Sequence, residues 1–279
     1  MMRAAFITHR GTVRDENQDA VFIAGDIKSG DMNSCEISEI TSHPLCFAVI
    51  DGMGGHEGGA MAARILAETF AGSCNGENFG RKFDLAKDER VIKEILKEAS
   101  ERMSFEARKN PSLSEMGAAV AGLLIRDNTA AAFNCGDCRA YRLCGGDIER
   151  LTRDHSVVQT LFEMGNIHED EMRTHPRKNI VTSAVTANSA NEPILYIRGI
   201  SRIDDDEYFL CSDGVWETIS SDAINGYLCG PFPDSAGVLL NALITAECRD
   251  NISFIWLVST NSDAQPQLSP RSDRFLELI

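Results

Sequence analysis

No run of apolar residues in the chain is long enough to cross a bilayer, and the apolar part of its first ten residues is too short for a secretory signal. Basic residues are scarce too: 27 Lys and Arg stand against 42 Asp and Glu, a net charge of −15, with no basic stripe along the chain. Such a chain has little with which to neutralise phosphate backbones or anionic lipid heads. Nucleic-acid partners, membrane partners and a nuclease activity are therefore disfavoured. The nine cysteines are odd in number and scattered through apolar runs without framework spacing. They read as reduced thiols, which places the chain in the cytoplasm. The one CxxC pair, Cys135 and Cys138, does not open a helix, so zinc and dithiol readings carry little weight. Internal repeats and linker-like stretches are also missing. The simplest organisation is one domain over residues 1–259 and a tail, 260–279, that loses periodicity and is expected to be mobile.

With 279 residues, 43% of them hydrophobic, the chain can bury a large core. Its organising stretch is 45–59, LCFAVIDGMGGHEGG. A continuous apolar run predicts a strand buried on both faces, and the run stops at Asp51-Gly52, which presents a carboxylate at a strand end. Glycines at 52, 54, 55 and 58 then let the backbone turn tightly and leave its carbonyls uncovered. An Asp-Gly after a strand is most often a plain turn. Here the pattern recurs: YFLC at 208–211 ends in Ser212-Asp213-Gly214, and Asp250-Asn251 directly precedes the apolar run 252–258. Three carboxylates at three strand borders suit a hard cation with oxygen ligands.

Along the rest of the chain, strands are predicted at 4–8 and 20–24, joined by the polar loop 10–19 that carries Arg14. Residues 25–44 read as a polar connector without period. Helices follow at 60–71 and 86–109, the second amphipathic, and then a strand at 116–125. The stretch 129–143 reads as two strands joined or bent at Gly136-Asp137. A short strand at 148–152 leads to a helix at 157–164 capped by the 154–156 segment. Strands are predicted at 179–185, 194–200 and 207–211, with a turn at 204–206, then helices near 215–220, 223–228 and 235–248 and a last strand at 252–258. His155 and His175 are of acid–base type, but solvated or capping roles suit each better.

Taken together, Arg14-x-x-Asn-Gln-Asp19, Val49-Ile50-Asp51-Gly52-Met53-Gly54-Gly55, Cys135-Gly136-Asp137-Cys138-Arg139, Cys211-Ser212-Asp213-Gly214-Val215-Trp216 and Asp250-Asn251 carry a resemblance in order and rough spacing. The chain resembles metal-dependent protein serine/threonine phosphatases of type 2C, the bacterial branch most, over nearly its whole length to about Val258. That resemblance implies an α+β fold: a four-layer αββα sandwich of two antiparallel sheets with helices on both outer faces. It implies two Mn²⁺ or Mg²⁺ ions bridged by Asp51, with the Gly52 carbonyl on one and Asp213 and Asp250 on the other. Gln18 and Asp19 would stand behind these ligands. A third, weaker ion would lie at Asp137 with Asp213, and residues 155–187 match a flap beside the cleft.

The implied activity is hydrolysis of phosphoserine and phosphothreonine on proteins by a metal-bridged hydroxide, with Arg14, Asp51 and Asp213 as catalytic groups and Arg14 binding the phosphate. The implied partners are phosphorylated proteins, a Ser/Thr kinase or its substrates, met by a monomer. Four departures bear on this. Gln18 stands where many members have Glu, Met53 where eukaryotic members have His, Ala118-Ala119 where Thr-Thr is commoner, and Cys138 where Ser is found. A catalytically silent relative that binds phosphoproteins is the competing reading, and the intact Arg14, Asp51, Asp213 and Asp250 argue against it.

Overall fold

The computed structural model describes residues 1–41, 45–55, 57–74, 76–80, 82–126, 128–202 and 206–259. The expected tail and most of the expected turn at 204–206 lie outside the described residues. Strands β1 (Met2–His9), β2 (Ala20–Ile23), β3 (Asp26–Ser29) and β4 (Glu36–Ile40) precede the organising strand β5 (Leu45–Met53). Helices α1 (Glu57–Ser73), α2 (Gly76–Phe79) and α3 (Leu85–Lys109) follow. Next come β6 (Gly117–Arg126), β7 (Thr129–Cys135), β8 (Arg139–Cys144) and β9 (Asp147–Arg150). The segment beyond holds α4 (Val157–Glu163), α5 (Glu169–Met172) and β10 (Val185–Thr186). The chain then runs through β11 (Tyr196–Ser201), β12 (Glu207–Cys211), α6 (Asp213–Trp216), α7 (Ser221–Leu228), α8 (Asp234–Thr245) and β13 (Ile252–Ser259).

One sheet has the order β4-β1-β13-β12-β8-β9; the other has β11-β7-β6-β5-β2-β3, with β10 added on β6. Every pairing is antiparallel. Strand β5 shows why its run is apolar throughout. Its odd residues, Leu45, Phe47 and Val49, pack with Phe6, Tyr208, Ile255 and Leu257 between the sheets. Its even residues, Cys46, Ala48 and Ile50, pack with Leu66 and Phe70 of α1 and Ile92, Ile95 and Leu96 of α3. Side chains alternate across a strand, so a strand covered on both faces must be apolar at every position. On the far side Phe209, Phe254 and Trp256 meet Leu239 and Leu243 of α8. These layers make the expected αββα sandwich, and no helix among the described residues is long and apolar enough to cross a membrane.

Two sequence expectations change, and a third gains its structural setting. The connector at 25–44 contains β3 and β4, both at sheet edges and largely exposed, so their solvent-facing polar residues hide the strand period. The expected strand at 179–185 is only a bridge between Ser156 and Val181, followed by the two-residue β10. Its backbone instead folds back on the start of the 155–187 segment, Thr182 N–H donating to the His155 carbonyl at 2.7 Å. The strands within 129–143 belong to different sheets, so Gly136-Asp137 is a crossing between layers. Gly136 has φ of +108°, and a Cβ there would stand 2.4 Å from the Cβ of Ala119. A small residue opposite Gly136 is thus a packing requirement, and Ala119 meets it.

Candidate functional site

Antiparallel pairing decides which strand ends meet. In the first sheet Cys211 of β12 opposes Arg139 of β8 and Phe254 of β13. The start of β8, the end of β12 and the start of β13 therefore share one end, which carries Asp137, Asp213 and Asp250. In the second sheet Ala20 of β2 opposes Ile50 of β5, so Asp19 and Asp51 lie together at one end. The ends of the two sheets coincide, for Gln18, just before β2, donates its N–H to Oδ1 of Asn251, just before β13, at 2.8 Å; the Asp51 carboxyl is accordingly held well above the usual carboxylate range by burial and then by the charges of Asp213, Asp19, Asp137 and Asp250. Asp213 is pushed up in the same way, by burial and then by Asp137, Asp250, Glu217 and Asp19.

Asp137 is buried and its carboxyl is raised to about 7, by burial and then by Asp154. Asp19 is likewise raised to about 7, chiefly by burial. The hydroxyls of Ser253 and Ser212 temper the Asp19 shift without reaching hydrogen-bond geometry, for both Asp19 carboxylate oxygens are buried with no hydrogen-bond partner among the described residues. A buried carboxylate left so is costly unless positive charge arrives. The donors here are hard oxygens, and the nearby thiols of Cys138 and Cys248 are buried and held protonated above their usual range, which fits Mg²⁺ or Mn²⁺ and not a thiophilic metal. Among the described residues no group of three His, Cys, Asp or Glu is drawn together tightly enough to hold an ion by side chains alone. Mg²⁺ in particular binds through one or two carboxylates and keeps several waters, so an open ring of acids suits it.

Arg14 reaches the site, but in this arrangement its guanidinium lies on Asp250, with Nε to Oδ1 at 2.9 Å and Nη2 to Oδ2 at 2.6 Å. Gln18 packs against the first turn of α1: its Oε1 is 2.4 Å from where a Cβ on Gly59 would lie, and the Gly52 carbonyl is 2.7 Å from the same point. Only glycine at 59 allows these two oxygens to approach the helix so closely. Met53 is half-buried beside Ala119, Ala121 and Cys138. Burial pushes the Cys138 thiol well up, as it does Cys135 and Cys211, so these sulfurs are inert.

Three features lay beyond the sequence reading. Asn251 pins the Arg14 loop, its Oδ1 accepting from Gln18 N–H at 2.8 Å and its Nδ2 donating to the carbonyls of Arg10 at 3.1 Å and Glu16 at 2.9 Å. Glu217, one turn beyond Asp213, pairs with Lys178 of the 155–187 segment, and Arg173 Nη1 donates to the Thr218 carbonyl at 3.2 Å. The side chains of Arg139 and Trp216 stack beneath Asp137. The Asp250-Asn251 pair was visible in the sequence; the partners, more than two hundred residues away, were not.

A family model described as Protein phosphatase 2C matches residues 25–248. The chain belongs to the protein phosphatase 2C family. It is 27% identical over 256 residues to the serine/threonine protein phosphatase PstP of Mycobacterium tuberculosis, covering 91% of this chain and 44% of that protein. The chain thus spans less than half the length of that relative. It is 27% identical over 260 residues to the serine/threonine phosphatase stp of Listeria monocytogenes, covering 91% of this chain and 94% of the relative. Among solved structures, the catalytic domain of PstP in complex with two manganese ions is similar with a TM-score of 0.72 and 25% identity, over 92% of this chain and 97% of that one. The expected family and sandwich are therefore borne out.

Proposed function

We propose that the chain is a metal-dependent phosphatase that removes phosphate from phosphoserine and phosphothreonine on proteins. The observation that carries this reading is the meeting of Asp19, Asp51, Asp137, Asp213 and Asp250 at one sandwich edge beside Arg14, in a chain of this family. Asp51 would lie between two ions, with the Gly52 carbonyl on one and Asp213 and Asp250 on the other, and Asp137 with Asp213 would hold a third more weakly. Bound there, Mn²⁺ or Mg²⁺ supplies a water of lowered pKa and offsets charge on the phosphoryl oxygens.

The chain's own groups do the rest. Asp51, half-buried at the end of a central strand, is held in place by its neighbours on β6. Arg14 presents a two-pronged N–H edge that now meets the two oxygens of Asp250; a phosphoryl group offers an equivalent pair. A cation held by Asp250 would share that carboxylate's charge and leave the Arg14 guanidinium available to substrate. Asn251 keeps the loop at the site. None of the nine free thiols is needed as a nucleophile, and their reduced state supports a cytoplasmic setting. The substrates would be a Ser/Thr kinase or its targets, met by a monomer.

The test is turnover of a phosphothreonine peptide and of an aryl phosphate by the purified chain with Mn²⁺, with Mg²⁺ and with chelator. Turnover should need metal and vanish in Asp51→Ala and Asp213→Ala. A folded chain that turns over neither substrate with either metal would sink the reading and leave the silent phosphoprotein binder in its place.

A further inference from the structure

Arg139 and Trp216 take no part in the chemistry above, yet both are buried next to it. The Arg139 guanidinium lies 3.6 Å from the Trp216 ring centroid. It is gripped by Asp154, with Nε to Oδ2 at 3.0 Å and Nη2 to Oδ2 at 2.6 Å. The other face of the arrangement leads to the acidic edge: Trp216 Nε1–H donates to the Asp137 carbonyl at 2.9 Å, and Trp216 ends the short helix that Asp213 begins. From Asp154 the chain passes directly into the flap. His155 N–H donates to the Gly136 carbonyl at 2.8 Å, and Gly136 N–H donates back to His155 Nδ1 at 3.1 Å. The His155 carbonyl and Val157 N–H then hold the returning end of the flap through Thr182 and Ile180.

Desolvating a guanidinium is costly, and Asp154, the Tyr141 hydroxyl at 3.4 Å and the Trp216 face together offset that cost. Asp137 therefore cannot shift without disturbing either the ring that ends α6 or the clamp at the flap base. We propose that Arg139 and Trp216 are positioning residues, a strut that sets Asp137 against Asp213 and ties both to the base of the flap. The proposal rests on the reading that these two carboxylates hold metal.

The test uses the full chain and two conservative variants. Trp216→Phe keeps a ring over Arg139 and removes the donor to Asp137; Arg139→Lys keeps the charge and removes the two-pronged grip. Each is measured for Mn²⁺ affinity by calorimetric titration, for the rate of trypsin cleavage after Arg173 and Arg177 in the flap, and for thermal midpoint. With the protein still folded at the assay temperature, Mn²⁺ affinity should fall about tenfold, or ~1.4 kcal/mol, and flap cleavage should quicken by a similar factor. Should one variant fail to fold, the other carries the same comparison. A lowered midpoint with wild-type affinity and wild-type cleavage overturns the strut and leaves plain core packing. Wild-type chain that takes up no Mn²⁺ overturns the metal reading and the strut with it.

Discussion

Asn251→Ala separates the scaffold of the site from its chemistry. Asn251 is buried at 6% exposure and bonds three backbone groups of the loop, the Gln18 N–H and the carbonyls of Arg10 and Glu16. At roughly 1 kcal/mol net per hydrogen bond, and with part of the loop reached by solvent once released, truncation should cost about 2 kcal/mol of stability. The same energy holds Arg14 over the acidic edge, so kcat/KM should fall about thirtyfold on a phosphothreonine peptide. The assay pairs denaturant unfolding in chelator with steady-state kinetics in Mn²⁺. Its sharper form adds Arg14→Ala: if Asn251 acts by placing Arg14, removing Arg14 from the Asn251→Ala chain should cost less than removing it from the wild type. Strict additivity, or a stability loss with kcat/KM unchanged, would refute the reasoning.

Gly59→Ala would set a Cβ 2.4 Å from Gln18 Oε1 and 2.7 Å from the Gly52 carbonyl. Gln18 can swing away but the backbone cannot, so about 1–3 kcal/mol of stability and much of the Mn²⁺ affinity should be lost, read by thermal melts and calorimetry. Metal-free stability should fall as pH rises. Asp19 and Asp137 are raised to about 7, and Asp51 and Asp213 are also held above the usual carboxylate range by burial and by their acidic neighbours, so the native state binds more protons than the unfolded chain between the free carboxylate pKa, about 4, and pH ~7. In chelator the thermal midpoint should drop across that window and Mn²⁺ should restore it; a flat or rising midpoint counts against the cluster. Alkylation should reach the exposed Cys144 and Cys229 and spare turnover, because the thiols nearest the site are buried and raised. Activity lost in step with Cys144 labelling would contradict that.

Much of the site was legible because its acids sit where apolar runs stop. Asp51, Asp213 and Asp250 each border a strand buried on both faces, and such a strand announces its own ends. Asp19 and Asp137 came from motif order alone, and the structure adds the reason they belong: antiparallel pairing carries all five strand borders to one edge. The edge strands β3 and β4 were missed because half of each faces water, which erases the apolar signal. Residues 179–185 looked like a strand by composition, but 180–182 pair with residues 155–157 and only Val185 joins β6. The crossing at Gly136-Asp137 and the roles of Asn251, Arg139 and Trp216 depend on partners distant in sequence. No local pattern encodes them.

The most direct test of the account is anomalous diffraction from crystals grown with Mn²⁺. Two peaks about 3.5–4 Å apart, both within bonding distance of Asp51, with Arg14 released from Asp250, is the predicted result. Crystals of active protein showing no peak at Asp51, or a single ion with Arg14 still paired to Asp250, would contradict it.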